Sequence, residues 1–123
     1  MSVVEPRPET FILVVDDDTL ILESASSLLS LLGYTPVAAS TGEEALALLE
    51  GGLDPVLVIL DMDMPGLGGA RTLPGIRALK PDLPVVISTG GHSPQVAELI
   101  RAYPGTSLLP KPYGLQELRE RLG

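Results

Sequence analysis

Acidic residues cluster twice in this chain, and each cluster directly follows an apolar run. Asp16-Asp17-Asp18 follows Phe11–Val15, and Asp61-Met62-Asp63 follows Val56–Leu60. Carboxylates so close to a core are costly unless something requires them there. Two other apolar runs lead into groups suited to phosphate. Val85–Ile87 leads into Ser88-Thr89-Gly90-Gly91, and Ser107–Leu109 leads through Pro110 to Lys111-Pro112. Brought together, Asp16, Asp17 and Asp61 would repel and raise one another's pKa, and a divalent cation would relieve this. Oxygen ligands with room for water and phosphate suit Mg²⁺. Lys111 supplies a second positive charge for a carboxylate or a phosphoryl group. A carboxylate beside Mg²⁺ can act as a nucleophile on phosphorus and form an aspartyl phosphate. Thr89 could donate to one phosphoryl oxygen. The backbone N–H groups of Met62 and Gly90 could donate to others, with glycine permitting close approach. Such a transfer needs mainly positioning and charge neutralisation.

Convergence requires the four runs to be neighbouring strands. The first three are continuous rather than alternating, as in a parallel sheet buried on both faces, and Ser107–Leu109 is a weaker one. Helical patterns lie between them. Asp18 or Thr19 can cap a first helix that carries Ile21, Ala25, Leu28, Leu29 and Leu32 on one side and stops at Gly33. Leu22 and Leu31 fall off that stripe. Thr41 caps a second helix, with Glu44 completing a capping box before Ala45, Leu48 and Leu49. A third runs through Leu73, Ile76 and Leu79 to Pro81, with Pro74-Gly75 breaking its regularity. Ser93 caps a fourth over Pro94–Ala102, and a fifth covers Gly114–Leu122. Thr35–Ala39 completes the set of strands. Pro36 and Pro110 place the second and fifth strands on sheet edges. The alternation predicts a doubly wound α/β sandwich with a five-stranded parallel sheet in the order 2-1-3-4-5. Ligands in such a sheet bind beyond the carboxyl ends of the strands at the switch in strand order. Here that is between the first and third strands, where the acids lie.

The bulk properties agree with one ordinary domain. The chain has 123 residues, 45% of them hydrophobic, which is enough for a core without staples. Residues 1–9 read as a disordered lead-in and residues 10–123 as the domain. With no cysteine, disulfides and thiolate metal sites are excluded. Sixteen acids against 8 bases give a net charge of −8, so direct binding of nucleic acid is not expected. No apolar run approaches the roughly 20 residues of a membrane span, and the first residues do not resemble a signal peptide, so a cytoplasmic location without membrane contact is expected. His92 reads as an exposed loop residue, neither ligand nor phosphodonor.

These motifs together resemble the receiver domain of two-component response regulators, over roughly Thr10 to Leu122. The matching segments are Leu13-Val14-Val15-Asp16-Asp17, Leu60-Asp61 with Met64-Pro65-Gly66, Pro84-Val85-Val86-Ile87-Ser88-Thr89-Gly90, and Lys111-Pro112-Tyr113. The resemblance implies a flavodoxin-like three-layer sandwich that takes a phosphoryl group from a histidine kinase or histidine phosphotransfer protein. It implies Asp61 as phosphoacceptor and Asp16 with Asp17 as the acidic metal pair, Asp17 the more direct ligand. Asp63 would offer its backbone carbonyl to Mg²⁺. Thr89 would be the switch hydroxyl and Lys111 the phosphate-pairing lysine, with Lys111-Pro112 joined by a cis peptide. The domain would assist its own phosphorylation and dephosphorylation without being a turnover enzyme. A donor helix bundle reaching the rim over Asp61 would meet Thr19, Leu22 and Ser26 on the first helix.

Some positions depart from the family pattern. Leu108 stands where an aromatic is frequent, three residues before the lysine. Gly68-Gly69 stand where an Asp often precedes the glycine, and Pro74-Gly75 interrupt the third helix. The Leu-Leu-x-Lys-Pro ending and the Ser-Thr-Gly-Gly loop look more like receivers attached to hybrid histidine kinases. Two other functions stay open on the residues alone. Asp61-Met62-Asp63 is similar to the D-x-D-x-[TV] start of haloacid-dehalogenase-type phosphatases, although Pro65 stands where Thr or Val belongs. A degenerate receiver serving only to bind protein is the other.

Overall fold

The apolar runs form strands and the amphipathic stretches form helices in strict alternation, in a computed structural model that describes residues 10–64, 68–91 and 94–122. The lead-in of residues 1–9, the Pro65-Gly66 turn, His92 and the Ser93 cap lie outside the described residues. The elements are β1 (Phe11–Val15), α1 (Thr19–Leu31), β2 (Thr35–Ala39), α2 (Gly42–Glu50), β3 (Leu57–Asp61), α3 (Gly68–Leu79), β4 (Val85–Thr89), α4 (Pro94–Ala102), β5 (Thr106–Pro110) and α5 (Leu115–Leu122). All strand pairs are parallel, in the order β2-β1-β3-β4-β5. The order reverses between β1 and β3, which opens a crevice at their carboxyl ends.

Alternation along each strand divides the core into two layers. Leu13, Val15, Val58, Leu60, Val85 and Ile87 pack with Ala45 and Leu49 of α2, Leu73 and Ile76 of α3, and Val96 of α4. On the other face Ile12, Val14, Ile59, Val86 and Leu109 pack with Ala25 and Leu29 of α1 and Leu118 of α5. Every residue of β3 and β4 is buried, which explains their lack of polar alternation. The prolines fit the edges at residue level. Thr35 N–H donates to Thr10 C=O, and Asp16 N–H donates to Ala39 C=O, so Thr35 and Ala39 face β1 and Pro36 faces outward. Val85 N–H bonds Gly105 C=O and Lys111 N–H bonds Thr89 C=O, so Pro110 likewise faces outward. Each proline therefore removes a donor that no strand needs.

The helix ends are set locally. Asp18 is the N-cap of α1, its carboxylate accepting from Leu20 N–H at 2.9 Å. Gly33, at φ 92°, supplies the left-handed turn after the helix. Thr41 caps α2 by accepting from Glu44 N–H at 3.0 Å. Only half of the expected capping box forms, because the Glu44 carboxylate accepts from Ser40 Oγ at 3.3 Å.

Four expectations are corrected. Val56 is exposed and, although its N–H bonds Phe11 C=O at 2.8 Å, it lies outside the strand proper: β3 runs Leu57–Asp61 and ends on the acid itself. The third helix is continuous through Pro74, whose exposed ring faces solvent. Beside it Gly75 sits so close to Leu46 of α2 that a Cβ there would meet the leucine at 2.9 Å. Leu79 is partly exposed rather than core. Leu22 is half-buried against the α1/α5 layer instead of lying off it, whereas Leu20 is 75% exposed.

Candidate functional site

The ends of β1, β3, β4 and the turn after β5 bring Asp16, Asp61, Thr89 and Lys111 to one rim. Asp16 is fixed by its backbone, whose N–H extends the β1·β2 ladder. Its Oδ1 accepts from Asp18 N–H at 2.9 Å. Asp61 closes β3, in register with Ser88 of β4. Its Oδ1 accepts from Asp63 N–H at 3.2 Å. Both carboxylates are buried, while Asp17 beside them is exposed. Lys111 lies between the two buried acids. Its Nζ is 3.0 Å from Asp16 Oδ2 and 3.1 Å from Asp61 Oδ1. The Lys111–Pro112 peptide is cis.

One oxygen each from Asp16, Asp17 and Asp61 lie within 4.8 Å of one another. Three carboxylates against one ammonium leave two negative charges uncompensated. An all-oxygen donor set with one open, solvent-facing side fits a hard divalent cation such as Mg²⁺ better than a thiophilic metal. The electrostatics show the same strain. Burial pushes the Asp61 carboxyl above the usual carboxylate range, and the Asp16 charge adds to that; the Lys111 ammonium and Asp63 N–H oppose it. Burial alone would lower Lys111, but its hydrogen bonds to Asp16 and Asp61 outweigh this and raise it.

Thr89 is buried, with its hydroxyl turned to Gly91, at 3.4 Å from both the N–H and the C=O of that residue. These are weak contacts, and they leave the hydroxyl free to turn. Gly90 is exposed at the mouth of the site. The expectation for Met62 is corrected: its N–H donates to Ser88 C=O at 2.9 Å within the β3·β4 ladder and is not available to a ligand. The next N–H, that of Asp63, faces the Asp61 carboxylate instead.

Beside the acids is a cavity of about 510 Å³ lined by Leu20, Ile21, Ser24 and Ala25 of α1 and by Gly90, Lys111, Pro112 and Tyr113. Of the three α1 residues expected at a docking face, Thr19 is exposed, Ser26 is half-buried and Leu22 is turned to the core. Leu20 presents the apolar surface instead. Sequence reasoning also missed Ser88 and Tyr113, whose hydroxyls are buried without partners among the described residues. Burial, with the Asp16 carboxylate adding to it, pushes the Tyr113 phenol up to about 12. The signal for Leu20 is present in the sequence: it lies off the stripe of Ala25, Leu28, Leu29 and Leu32 that packs on the sheet. Among the described residues, no helix is long and apolar enough to cross a membrane.

Comparison with known proteins gives a consistent result. Residues 12–123 match the family described as the response regulator receiver domain. The response regulator MprA of Mycolicibacterium vanbaalenii is 38% identical over 113 residues, covering 90% of this chain and 48% of that protein. MprA of Mycobacterium ulcerans is 37% identical, with 47% of its length covered. The chain thus spans about half the length of these curated relatives. Among solved structures, the Vibrio cholerae chemotaxis protein CheY4 superposes with a TM-score of 0.85 at 27% identity, covering 94% of this chain and 97% of that one. The receiver domain of the hybrid histidine kinase CckA superposes with a TM-score of 0.76 at 32% identity, covering 91% and 94%.

Proposed function

Since the chain belongs to the response regulator receiver family, we propose that Asp61 accepts a phosphoryl group from a phosphohistidine donor and that the Asp16–Asp17–Asp61 cluster holds the Mg²⁺ needed for it. The carrying observation is the Lys111 ammonium held 3.0 and 3.1 Å from two buried carboxylates, with Asp17 completing the acidic triad. The ion, once bound, supplies positive charge to offset the approaching phosphoryl oxygens. The chain's own residues do the rest. Asp61 provides the nucleophilic oxygen. Lys111 moves from pairing two acids to pairing a phosphoryl oxygen, and Thr89 can turn from Gly91 toward another. Gly90 N–H would donate to a phosphoryl oxygen, Asp63 N–H already donates to Asp61 Oδ1, and the Asp63 carbonyl would be a further oxygen for the metal. In this way the domain assists its own phosphorylation and dephosphorylation.

The donor would dock over α1 and the turn after β5. Leu20 is the apolar anchor of that surface, with Ser24 one turn further along α1, and the cavity beside it opens toward Lys111. A histidine kinase or phosphotransfer protein fits this surface, and the cytoplasm fits such a partner. Nothing in the site favours a phosphatase of the haloacid-dehalogenase type or a binding-only module: Asp63 is exposed and the acid, threonine and lysine set is assembled.

The test is incubation of the protein with acetyl phosphate and Mg²⁺, followed by intact mass. One added phosphoryl group, stable to acid and labile to base, is expected. Absence of any adduct, or rapid multiple turnover of small phosphate esters, would overturn the proposal.

A further inference from the structure

Ser88 has a buried hydroxyl with no hydrogen-bond partner among the described residues and is 1% exposed. Buried polar groups are nearly always paired, so an orphan beside a reactive group calls for a role. Ser88 is in register with Asp61 on β3 and with Leu109 on β5. Paired residues of a parallel sheet project to the same face, here the face covered by α1 and α5. Its neighbours within the sheet on that face are Asp61, Leu109 and, two residues back on β4, Val86, and Tyr113 packs over the same layer. Of these strand side chains Asp61 alone carries a charged acceptor. Asp61 Oδ1 already receives Lys111 Nζ and Asp63 N–H, while its Oδ2 receives no hydrogen bond among the described residues. A carboxylate has about four acceptor sites, so capacity remains. A rotation about χ1 of Ser88 moves its hydroxyl between staggered wells and changes which neighbour it faces.

We propose that Ser88 is a positioning residue for the phosphoryl chemistry of Asp61, its hydroxyl donating to the Asp61 carboxyl oxygen that is not bonded to phosphorus. The inference rests on Asp61 as the acceptor. In the loss of the phosphoryl group, water forms the new P–O bond and the P–O bond to Asp61 breaks. The electron pair returns to the Asp61 carboxylate, and the water proton passes to the released phosphate or to solvent. Negative charge thus develops on the carboxyl group as the bond breaks. A hydrogen bond from Ser88 strengthens as that charge grows, so it favours the departing carboxylate more than the intact acyl phosphate. The same bond orients the Asp61 carboxylate for attack in the forward direction.

The experiment compares wild type, Ser88→Ala and Ser88→Thr. Each is phosphorylated with acetyl phosphate and Mg²⁺, the donor is removed, and loss of the adduct is followed by intact mass. The acyl carbonyl band of the phosphorylated protein is recorded by isotope-edited infrared spectroscopy. The alanine adduct is expected to last about fivefold longer than wild type, the scale of one net hydrogen bond, and threonine to restore the lifetime to within about twofold. The carbonyl band is expected to move to higher frequency in Ser88→Ala alone, a change that loss of packing would not produce. Alanine decay at the wild-type rate with an unshifted band would overturn the role of Ser88 while leaving Asp61 as acceptor. A wild-type protein that takes no phosphoryl group would instead overturn the function itself, and the positioning role with it.

Discussion

Replacing Lys111 with methionine isolates the electrostatic problem at the rim. The change keeps most of the side chain's length and removes the charge that separates two buried carboxylates. Oxygens of Asp16 and Asp61 lie within 4.8 Å of each other. At that distance two like charges repel by about 3.5 kcal/mol for an effective dielectric near 20. Protonation of Asp61 limits the cost: holding an ordinary carboxyl neutral at pH 7 takes roughly 4 kcal/mol, and less for one already raised by burial. Methionine also avoids desolvating an ammonium, so the net loss of stability at pH 7 without Mg²⁺ is expected to be about 2–3 kcal/mol. The pH dependence has a definite sign. Asp61 has a raised folded-state pKa, so its contribution to stability is fully present below its unfolded value and is lost as pH rises through the folded one. The variant raises Asp61 further, which widens that window upward. Lys111 is raised as well, so its contribution in the wild type persists at neutral pH and is lost only as pH climbs through its raised value. The assay is urea denaturation followed by far-UV circular dichroism at pH 7 and pH 5, with and without Mg²⁺. The wild-type and variant stabilities should converge at pH 5 and with Mg²⁺. A deficit equal at both pH values and indifferent to Mg²⁺ would refute the electrostatic reasoning.

Mg²⁺ is expected to raise the melting temperature of the wild type by linkage to the native state, and Asp17→Ala should flatten that rise; a wild-type melting temperature unmoved across a wide Mg²⁺ titration counts against a preformed site. Leu20→Glu should slow transfer from a phosphohistidine donor while sparing acetyl phosphate, whereas Leu22→Glu should lower the melting temperature because Leu22 packs into the α1/α5 layer; equal losses with both donors for Leu20→Glu would point to misfolding. Gly69→Ala places a Cβ 2.5 Å from the Asp61 carbonyl oxygen, an overpacking that should cost about 1–3 kcal/mol in urea denaturation, and an unchanged midpoint would show that α3 and the end of β3 can separate freely.

What the sequence made legible followed from periodicity and local chemistry. Continuous runs such as Phe11–Val15 and the caps Asp18 and Thr41 depend on neighbours along the chain, and β1, β2 and the start of α2 stand where those signals put them. The edge prolines and acid-tipped strands then fixed the sheet order. What required coordinates depended on contacts across strands or layers. Val56 has the composition of a strand residue and still bonds Phe11 C=O through its N–H, yet it is exposed and the residue-by-residue register with β1 begins only at Leu57. Pro74 reads as a helix breaker, yet α3 continues through it with the proline exposed and Gly75 beside it packed too close to Leu46 of α2 for a Cβ. Met62 N–H looks available to a ligand in the sequence because its use in the β3·β4 ladder is invisible in one dimension. Ser88 stands in the sequence only as part of the Ser-Thr-Gly-Gly group with no role of its own, and register places it beside Asp61.

The central claim is that Asp61, held by Lys111 and flanked by Asp16 and Asp17, is the group that becomes phosphorylated. The most direct measurement is the intact mass of wild type and Asp61→Asn after the same exposure to acetyl phosphate and Mg²⁺, with matching circular dichroism spectra to verify the fold. The amide keeps the size and shape of the side chain but is no nucleophile. One phosphoryl group on the wild type and none on the variant is the predicted result. Phosphorylation of the folded asparagine variant at the wild-type rate would contradict it.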